Sequence, residues 1–529
     1  MQHFALLALL PAALAAPAPV PVPVAAPIAV PGSHYPLITP APSLTDRDLA
    51  RLQERGAISS LISDATSDIA GLGTYLSSVI GTYPSYIASG VPNFFQDFPT
   101  GSAVEKSLGI SDSDLAATPT QVLNIPAYAN WTDQGWNLRF RGNVFKQPNI
   151  SESKLDDLAN IFLIGTSIQA LPPAQQTQAR NLTAEIYVVQ QGNVNVSFNL
   201  QPVSISGFTG EAGVDANAAP RGGAQNITLI GETTVEGDFD QFIQIANVSG
   251  PGGYLLPGNG TTEIQRLSVY TNGTDTGNAT AYLVPPAGLT IISDIDDILR
   301  ITQIYEPANG LLNSFAKAFT PWMNMPEIYA NWSRSIPDFH FHYLTTTPEQ
   351  ITRNYMDFIY NYYPEGSFDT RPLNFSDVSD TLSIRKYLLE KVFETYPERK
   401  FVLIADTSNS DVMKDYPAMA TEFPNQVQCI FLRNTSATDP GDKFPYDTSG
   451  FKGLNQNMYM FFLVPDDLSG LDIVNGQCYN STIPQNVTFS EQGLPVGLSK
   501  KSAGGKAMPW SNAVLVAFVM VLGAMFGGL

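Results

Sequence analysis

The hydrophobic pattern changes character along the central part of the chain. From 46 to about 120, apolar residues recur at helix-like spacing, as at Leu49, Leu52 and Ile58, which predicts a helical region. From 121 to 287, short runs alternate apolar with polar residues between clusters of Gly, Asn and Pro. Such runs are Trp136–Phe140, Ala184–Val189, Val194–Phe198 and Arg266–Tyr270. This alternation predicts an antiparallel β-sandwich-like domain.

From 288 to 440, continuous apolar runs alternate with helical stretches. The runs are Leu289–Ile292, Phe339–Leu344, Lys400–Ala405 and Val427–Leu432, and the helix-like segment Ser383–Tyr396 lies between two of them. Buried strands separated by helices indicate βαβ units with a mostly parallel sheet. The predicted fold class is therefore α/β. We expect the parallel-sheet domain to follow the β-sandwich-like domain and the helical region, with 441–500 as a C-terminal extension.

Both ends of the chain have the composition of targeting segments. Residues 1–15 form an apolar run ending in small residues, which is typical of a secretory signal peptide, and 16–45 are a Pro/Ala-rich linker. Residues 501–529 combine small residues, a short spacer and an apolar tail, the order found in a glycosylphosphatidylinositol anchor signal. A retained transmembrane tail is the alternative. Either one predicts a membrane-anchored protein.

Glycosylation sequons support the secretory route. Fourteen N-x-S/T sites occur, at Asn130, Asn149, Asn181, Asn195, Asn226, Asn247, Asn259, Asn272, Asn278, Asn331, Asn374, Asn434, Asn480 and Asn486. They predict a glycoprotein of the cell surface or extracellular space. In that oxidising compartment we expect the two cysteines, Cys429 and Cys478, to form one disulfide, with two free buried thiols as the alternative.

The charge balance excludes one large class of partners. The 529 residues include 28 Lys plus Arg and 48 Asp plus Glu, a formal net charge of −20. Binding to nucleic acid needs clustered basic residues that neutralise phosphates. We therefore expect no nucleic-acid partner.

Carboxylates follow two of the predicted parallel strands. Asp294 and Asp296 come after the first strand, and Asp406 and Asp411 come after a later one. The strand between them in the chain ends in a hydroxyl cluster that begins at Thr345. Because the carboxyl ends of parallel strands meet in one crevice, these like charges would raise one another's pKa unless a cation lay among them. Oxygen ligands at this density predict Mg²⁺ and phosphoryl-transfer chemistry.

Four segments in this order resemble the catalytic domain of actin-patch-type phosphatidate phosphatases, a haloacid-dehalogenase-type group. The segments are Ile292–Leu299, Phe341–Pro348, Gly366–Arg371 and Arg399–Asp406, and the resemblance covers roughly Gly288 to Thr438. It implies a haloacid-dehalogenase-like Rossmannoid sheet. It also implies that Asp294 is the nucleophile that forms an aspartyl-phosphate and that Asp296 is the acid and base. Thr345 would bind the phosphoryl oxygens, and Asp294, Asp296, Asp406 and Asp411 would hold Mg²⁺.

The chain departs from the pattern of that group at three positions. Ile298 stands where the group has a threonine, and Ala405 stands where it has a glycine. The catalytic lysine falls in register at Arg385, with Lys386 adjacent, so both are candidates for that role.

The predicted function is Mg²⁺-dependent hydrolysis of phosphatidate, or a related small phosphomonoester, by a secreted fungal member of this group. The predicted partners are the phospholipid substrate and the membrane to which the C-terminal anchor attaches the protein. The alternative is a catalytically weak or inactive cell-surface or cell-wall interaction protein that keeps the phosphatase fold, because lost positioning groups commonly lower catalytic rates.

Overall fold

The computed structural model describes residues 102–163, 165–203, 222–249, 253–274, 276–336, 338–371, 384–439, 448–483 and 485. The predicted signal peptide, the linker, most of the helical region and the anchor segment lie outside these residues. At the end of the predicted helical region, α1 (Ser102–Leu108) and α2 (Asp112–Ala117) are helices. No helix in the described ranges has the length and apolar character that crossing a bilayer requires.

A nine-stranded sheet occupies most of the first half of the described chain. Its strands are β1 (Thr120–Asn124), β2 (Tyr128–Thr132), β3 (Gly135–Lys146), β4 (Val189–Gln190), β5 (Ser197–Pro202), β6 (Gln225–Thr228), β7 (Asp238–Gln244), β10 (Gln265–Thr271) and β11 (Ala279–Leu283), while β8 (Val248–Ser249) and β9 (Gly253–Tyr254) form a separate pair. The order is β1-β3-β2-β11-β10-β5-β6, and β4 and β7 also pair with β3.

The prediction of a purely antiparallel sandwich is wrong, because β2 and β11 pair in parallel within this one connected sheet. The sheet nevertheless folds over itself. Phe140 of β3 and Phe198 of β5 stack with their ring centroids 4.6 Å apart, although three strands separate β3 from β5 in the order. Alternating apolar residues therefore face a shared core, as in a sandwich.

The predicted strand at Ala184–Val189 is instead divided between the end of a helix, which finishes at Ile186, and the start of a short strand at Val189. Two helices, α3 (Glu152–Ala159) and α4 (Pro173–Ile186), precede the short strand β4. Pro173 begins α4 with a proline at a position that needs no N–H donor, and Leu182 and Ile186 are buried at helical spacing. A short apolar run fits either a strand or a buried helix, and in the folded chain the first part of this run packs as the end of a helix.

The second half contains a six-stranded parallel sheet. Its strands are β12 (Leu289–Ser293), β13 (Phe339–Pro348), β14 (Ser367–Arg371), β15 (Lys400–Asp406), β16 (Val427–Arg433) and β17 (Tyr459–Phe462), in the order β14-β13-β12-β15-β16-β17. The four predicted strands are confirmed, and β14 and β17 extend the sheet. The chain leaves the central strand β12 for β13 on one side and later returns to β15 on the other. Such a reversal opens a crevice at the carboxyl ends of the strands.

Helices cover both faces of the parallel sheet. On one face lie α5 (Pro307–Phe315), α6 (Met325–Ser335) and α7 (Glu349–Tyr362), and on the other lie α8 (Ile384–Thr395) and α9 (Ser410–Glu422). The predicted helix at Ser383–Tyr396 is α8. A single turn, α10 (Thr435–Thr438), follows β16. Burial of both faces explains why the strands are continuous apolar runs.

Arg399 joins the beginnings of the central strands. This buried side chain donates hydrogen bonds to Thr290 Oγ1 (2.6 Å), Leu289 O (2.9 Å) and Asp338 O (2.6 Å). Gly288 lies against it with φ +119°, and a Cβ there would be 2.7 Å from Arg399 Nη1. Only glycine fits this close approach.

A buried charge network joins the two sheets. Asp369 of the edge strand β14 is fully buried, and its Oδ2 accepts a hydrogen bond from Arg139 of β3 at 2.9 Å. Arg141 of β3 bonds its Oδ1. Arg139 also donates to Asp240 of β7 at 2.6 and 2.7 Å, and Lys391 of α8 contacts the same carboxylate. Burial raises the pKa of Asp369, but the two arginines outweigh burial and hold this pKa below its usual value.

The disulfide is confirmed, since Cys429 of β16 is bonded to Cys478 with their Cα atoms 5.3 Å apart.

The structure describes twelve of the fourteen sequons, because Asn374 and Asn486 lie outside the described residues. Among the other sequons, Asn434 is 4% exposed, and its side chain caps α10 by accepting from Ala437 N at 3.2 Å. The predicted glycan at Asn434 is therefore incompatible with the folded chain. The remaining sequon asparagines are exposed or half-buried.

The charge network predicts that the parallel sheet depends on the nine-stranded sheet. Arg141→Met should lower the free energy of unfolding by about 3–5 kcal/mol, because it leaves Asp369 charged in the interior with one partner lost. Urea unfolding measures this change. Adding Asp369→Asn should recover part of the loss. Arg180→Met, which removes ion pairs with Asp156 and Glu152 at the surface, should change stability little. Equal effects of the two arginine variants would contradict the prediction.

Candidate active site

Asp294 lies at the carboxyl end of the central strand. Its N–H donates to Ile404 O at 2.8 Å, which continues the parallel pairing of β12 with β15. The side chain is 1% exposed, and its Oδ1 accepts from Ile295 N at 2.9 Å. Oδ2 lies 3.0 Å from Nη2 of Arg385, close enough for an ion pair, although no donor of the described part of the chain is directed at it. Burial raises the pKa of Asp294 to about 7, against the attraction of Arg385 and with the added repulsion of Asp296.

Asp296 is held by side chains from two other segments. Its Oδ1 accepts from Thr302 Oγ1 at 2.8 Å, and the hydroxyl of Tyr355 lies 2.8 Å from Oδ2 and 3.1 Å from Oδ1. Arg300 Nη1 lies 3.8 Å from Oδ1. The sequence interpretation missed all three partners. Tyr355 looks like one more aromatic residue of an amphipathic helix, and nothing local connects it to Asp296.

A tight loop after β12 places Thr302 near Asp296. The carboxylate of Asp297 accepts hydrogen bonds from the N–H groups of Thr302 (3.0 Å), Gln303 (2.8 Å) and Ile304 (3.0 Å). Asp297 itself has φ +56°, and its carbonyl accepts from Arg433 Nη1 at 2.6 Å. Asp297 therefore shapes the loop, and its own oxygens are occupied.

Arg385, not Lys386, reaches the site. Arg385 of α8 is buried between the carboxylates, with Nη2 3.0 Å from Asp294 Oδ2 and Nε donating to Asp411 Oδ2 at 2.9 Å. Lys386 pairs with Glu422 at 2.6 Å, away from Asp294. Successive residues on a helix point about 100° apart, so only one of the pair can face the crevice. The candidate role for Lys386 is therefore corrected, and Arg385 carries the positive charge.

Asp406 ends β15, next to Asp294. Its Oδ1 accepts from Ser408 N at 2.7 Å and from the Ser408 hydroxyl, whereas no described residue donates to its Oδ2. Burial raises the pKa of Asp406, and the negative charges of Asp297 and Asp294 raise it further. Two buried oxygens, Asp294 Oδ2 and Asp406 Oδ2, thus have no hydrogen-bond donor within the described ranges, which is the situation that a cation would relieve.

The predicted four-carboxylate metal site is not assembled. Asp296 and Asp411 are engaged by Tyr355, Thr302 and Arg385. Within the described ranges, no three His, Cys, Asp or Glu side chains converge so that they could hold a metal ion. The chemistry of Asp294 and Asp406 still fits Mg²⁺, which often takes one or two carboxylates and completes its shell with water and substrate phosphate.

Thr345 lies at the same end of the neighbouring strand. In the register of β12 with β13, Ser293 is opposite Tyr343, so Thr345 lies at the level of Ile295, just past the nucleophile candidate. Thr345 is buried, and its Oγ1 accepts from Thr347 N at 3.1 Å. The parallel sheet thus brings the hydroxyl of Thr345 to the carboxylate edge, as the strand-end pattern predicts.

Another group of polar residues meets between the sheets but has no access to solvent. Ser367 Oγ lies 2.8 Å from His342 Nδ1 and 2.7 Å from His340 Nε2, and His342 Nε2 lies 3.6 Å from Asp369 Oδ2. All four side chains are buried. Burial lowers the pKa of His342 to about 4, so its ring is neutral. This arrangement is part of the packing between the sheets, and no substrate could reach a nucleophilic serine there.

Loss of the proton on Asp294 should make the metal-free chain less stable as the pH rises. Folding raises the pKa of Asp294 from its usual value of about 4 to about 7. The folded chain therefore binds this proton more tightly than the unfolded chain does. The resulting stabilisation is complete below about pH 4 and is lost as the pH rises through about 7, at on the order of 1 kcal/mol per pH unit.

Urea unfolding at several pH values in that range, without divalent cations, measures this trend. Asp294→Asn should make the trend shallower, and millimolar Mg²⁺ should do the same in the unaltered chain. The same pH dependence in both chains would show that Asp294 is not the group responsible.

Two comparisons with known proteins concern this part of the chain. The family model for phosphatidate phosphatase APP1, catalytic domain, matches residues 289–434. That segment contains all the strands from β12 to β16 and every site residue described above. Phosphatidate phosphatase APP1 of Saccharomyces cerevisiae is 26% identical over 160 residues, which are 29% of this chain and 27% of that relative. The matched part thus spans about a quarter of the relative's length. Over residues 289–434, the chain is similar to the catalytic domain of phosphatidate phosphatase APP1.

Proposed function

We propose that the protein is a Mg²⁺-dependent phosphoric monoester hydrolase that acts on phosphatidate or a related phosphomonoester. The observation that carries this proposal is the placement of Asp294 and Asp296 at the carboxyl end of β12, with Arg385 3.0 Å from Asp294. These residues lie inside the segment that matches the phosphatidate phosphatase family model. The order of the parallel sheet supports a haloacid-dehalogenase-like domain at 288–440, with 121–287 as an accessory β domain.

In the first step, a carboxylate oxygen of Asp294 attacks the phosphorus atom, and the bond from phosphorus to the substrate alcohol oxygen breaks. Asp296 gives its proton to the departing oxygen, so the products are the free alcohol and an aspartyl-phosphate. In the second step, Asp296 takes a proton from water, and the water oxygen attacks phosphorus. Phosphate leaves, and the Asp294 carboxylate is regenerated.

The charges of the site support this sequence of steps. Asp294 must be ionised to attack, yet burial opposes its ionisation. Arg385 favours the ionised form, and its Nη1 has no hydrogen-bond partner among the residues that the structure describes, so it could bind a phosphoryl oxygen. Asp294 and Asp406 would hold Mg²⁺, which when bound would neutralise them and the substrate phosphate. Thr345 would donate to a phosphoryl oxygen from the neighbouring strand.

A non-catalytic function is the second candidate. Ile298 is buried in the apolar core and has no hydroxyl to offer the site, and arginine replaces the family's lysine at Arg385. A chain with these changes could retain the fold as a surface interaction protein. Direct measurement of phosphate release separates the two candidates.

We further propose that the protein follows the secretory route and is held at a membrane through its C-terminal segment, by a glycosylphosphatidylinositol anchor or, alternatively, by a retained transmembrane tail. The disulfide between Cys429 and Cys478 supports an oxidising compartment. Exposed sequon asparagines such as Asn149 and Asn259 are accessible for glycosylation. The apolar sequence from Ala513 to Leu529 supports the anchor.

Asp294→Asn should lower phosphate release from phosphatidate by at least about a thousandfold, because no nucleophile remains. Chelating divalent cations should abolish the activity of the unaltered chain, and Mg²⁺ should restore it. Arg385→Met should lower the rate, whereas Lys386→Ala, which removes the neighbouring cation, should leave it unchanged. Malachite green detection of released phosphate measures all four. Equal release by the unaltered chain and Asp294→Asn, or none from several phosphomonoesters, would contradict the hydrolase.

Removal of N-linked glycans from the protein expressed in a eukaryotic secretory host should lower its apparent mass. Asn149→Gln should lower the mass by one glycan, since this asparagine is exposed. Asn434→Gln should change nothing, since this asparagine is buried. Gel mobility or intact-mass measurement tests both. An unchanged mass after deglycosylation would argue against the secretory route.

A further inference from the structure

Two hydroxyl groups from separate segments hold the carboxylate of Asp296. Thr302 Oγ1, from the loop after β12, donates to Oδ1 at 2.8 Å, and the Tyr355 hydroxyl, from α7, lies 2.8 Å from Oδ2. All three side chains are buried. The two donors therefore define the plane of the carboxylate, which would otherwise rotate about its side-chain bonds.

Both donors are themselves held in place. The N–H of Thr302 donates to Asp297 Oδ1 at 3.0 Å, which anchors the loop. The ring of Tyr355 packs against Phe319 with their centroids 5.8 Å apart. Arg300 covers the other side of this group, with its guanidinium carbon 3.7 Å from the Phe319 centroid and 5.4 Å from the Tyr355 centroid. Neither hydroxyl can move away from Asp296 without disturbing packed neighbours.

The arrangement leaves Asp296 able to exchange a proton. Among the described residues, Oδ2 accepts one hydrogen bond, from Tyr355, and because a carboxylate oxygen has two lone pairs, Oδ2 can still carry the acid proton. Ile298, on the same loop, has no hydroxyl and is buried in the apolar core. The hydroxyl groups that contact Asp296 come instead from Thr302, six residues further along the chain, and from the distant Tyr355.

We infer that Thr302 and Tyr355 are positioning residues that hold the Asp296 carboxyl toward the leaving-group oxygen. This inference rests on the proposed phosphatase function. During cleavage, the bond from phosphorus to the alcohol oxygen breaks while the Asp296 proton moves to that oxygen. A carboxyl that rotates freely delivers the proton less often, so loss of either hydroxyl slows turnover without weakening substrate binding.

The experiment compares Thr302→Val, Thr302→Ser and Tyr355→Phe with the unaltered chain. Thr302→Val and Tyr355→Phe should lower kcat on phosphatidate by roughly 10- to 100-fold while KM changes less than about threefold. Thr302→Ser keeps the hydroxyl and should retain most of the rate. Tyr396→Phe is the matched control, because it removes a buried hydroxyl that donates to Ala129 O at 2.9 Å between the two sheets. Its kcat should be unchanged.

A second substrate separates positioning from general damage. p-Nitrophenolate is a stable leaving group that needs no proton, so the first turnover of p-nitrophenyl phosphate should suffer less than that of phosphatidate in Thr302→Val and Tyr355→Phe. Full kcat in both variants would overturn the inference and leave the phosphatase function intact. Equal losses on both substrates, or a Thr302→Ser variant as slow as Thr302→Val, would also overturn it. If the unaltered chain releases no phosphate from either substrate, the proposed function fails and this inference fails with it.

Discussion

The burial of Asp369 at the edge of the parallel sheet constrains much of this structure. A charged carboxylate in the interior is tolerated only with close, well-directed partners, and here Arg139 and Arg141 of the nine-stranded sheet supply them. Asp240 balances the excess positive charge and draws in Lys391 of α8, the helix that also carries Arg385. Thr370, next to Asp369, bonds through its hydroxyl to the carbonyl of Thr347 on β13, near Thr345. The need to compensate the buried charge of Asp369 therefore connects both sheets to α8 and β13, two of the segments that form the site.

The candidate active site also contains buried carboxylates, but their partners are different. Asp294, Asp296, Asp297 and Asp406 are all buried near the carboxyl end of β12. Asp297 is satisfied by backbone N–H groups and Asp296 by hydroxyl groups, so these two are fixed within the chain. In the described part of the chain, Asp294 and Asp406 each keep one oxygen without a donor. The difference is chemically useful, because groups satisfied internally can position a reaction, while unsatisfied ones are available to a cation or a substrate.

The parallel strands and the carboxylates at their ends could be predicted from sequence for local reasons. Strands covered on both faces are apolar along most of their length, and for this reason the sequence pattern predicts strands at Leu289–Ile292 and Lys400–Ala405. Strand β14 was not predicted, because its sequence, Ser-Phe-Asp-Thr-Arg, is mostly polar although every residue is buried. The sequence pattern predicts a strand at the end of α4, because an apolar run this short does not show whether its period is that of a strand or of a helix.

The local order of residues determined where the apolar strands of the parallel sheet lie, which carboxylates follow them and that the cysteines are two. Only the tertiary structure decided that Arg385 faces Asp294 while Lys386 faces Glu422, that Tyr355 holds Asp296, and that Asn434 is inaccessible. The physical reason is that burial of a charge or an amide is set by all surrounding segments together. Asp296 and Tyr355 are 59 residues apart, and Arg139 and Asp369 are 230 apart. A pattern along the chain reports periodicity over a few residues, whereas these partners meet only when the two sheets have packed.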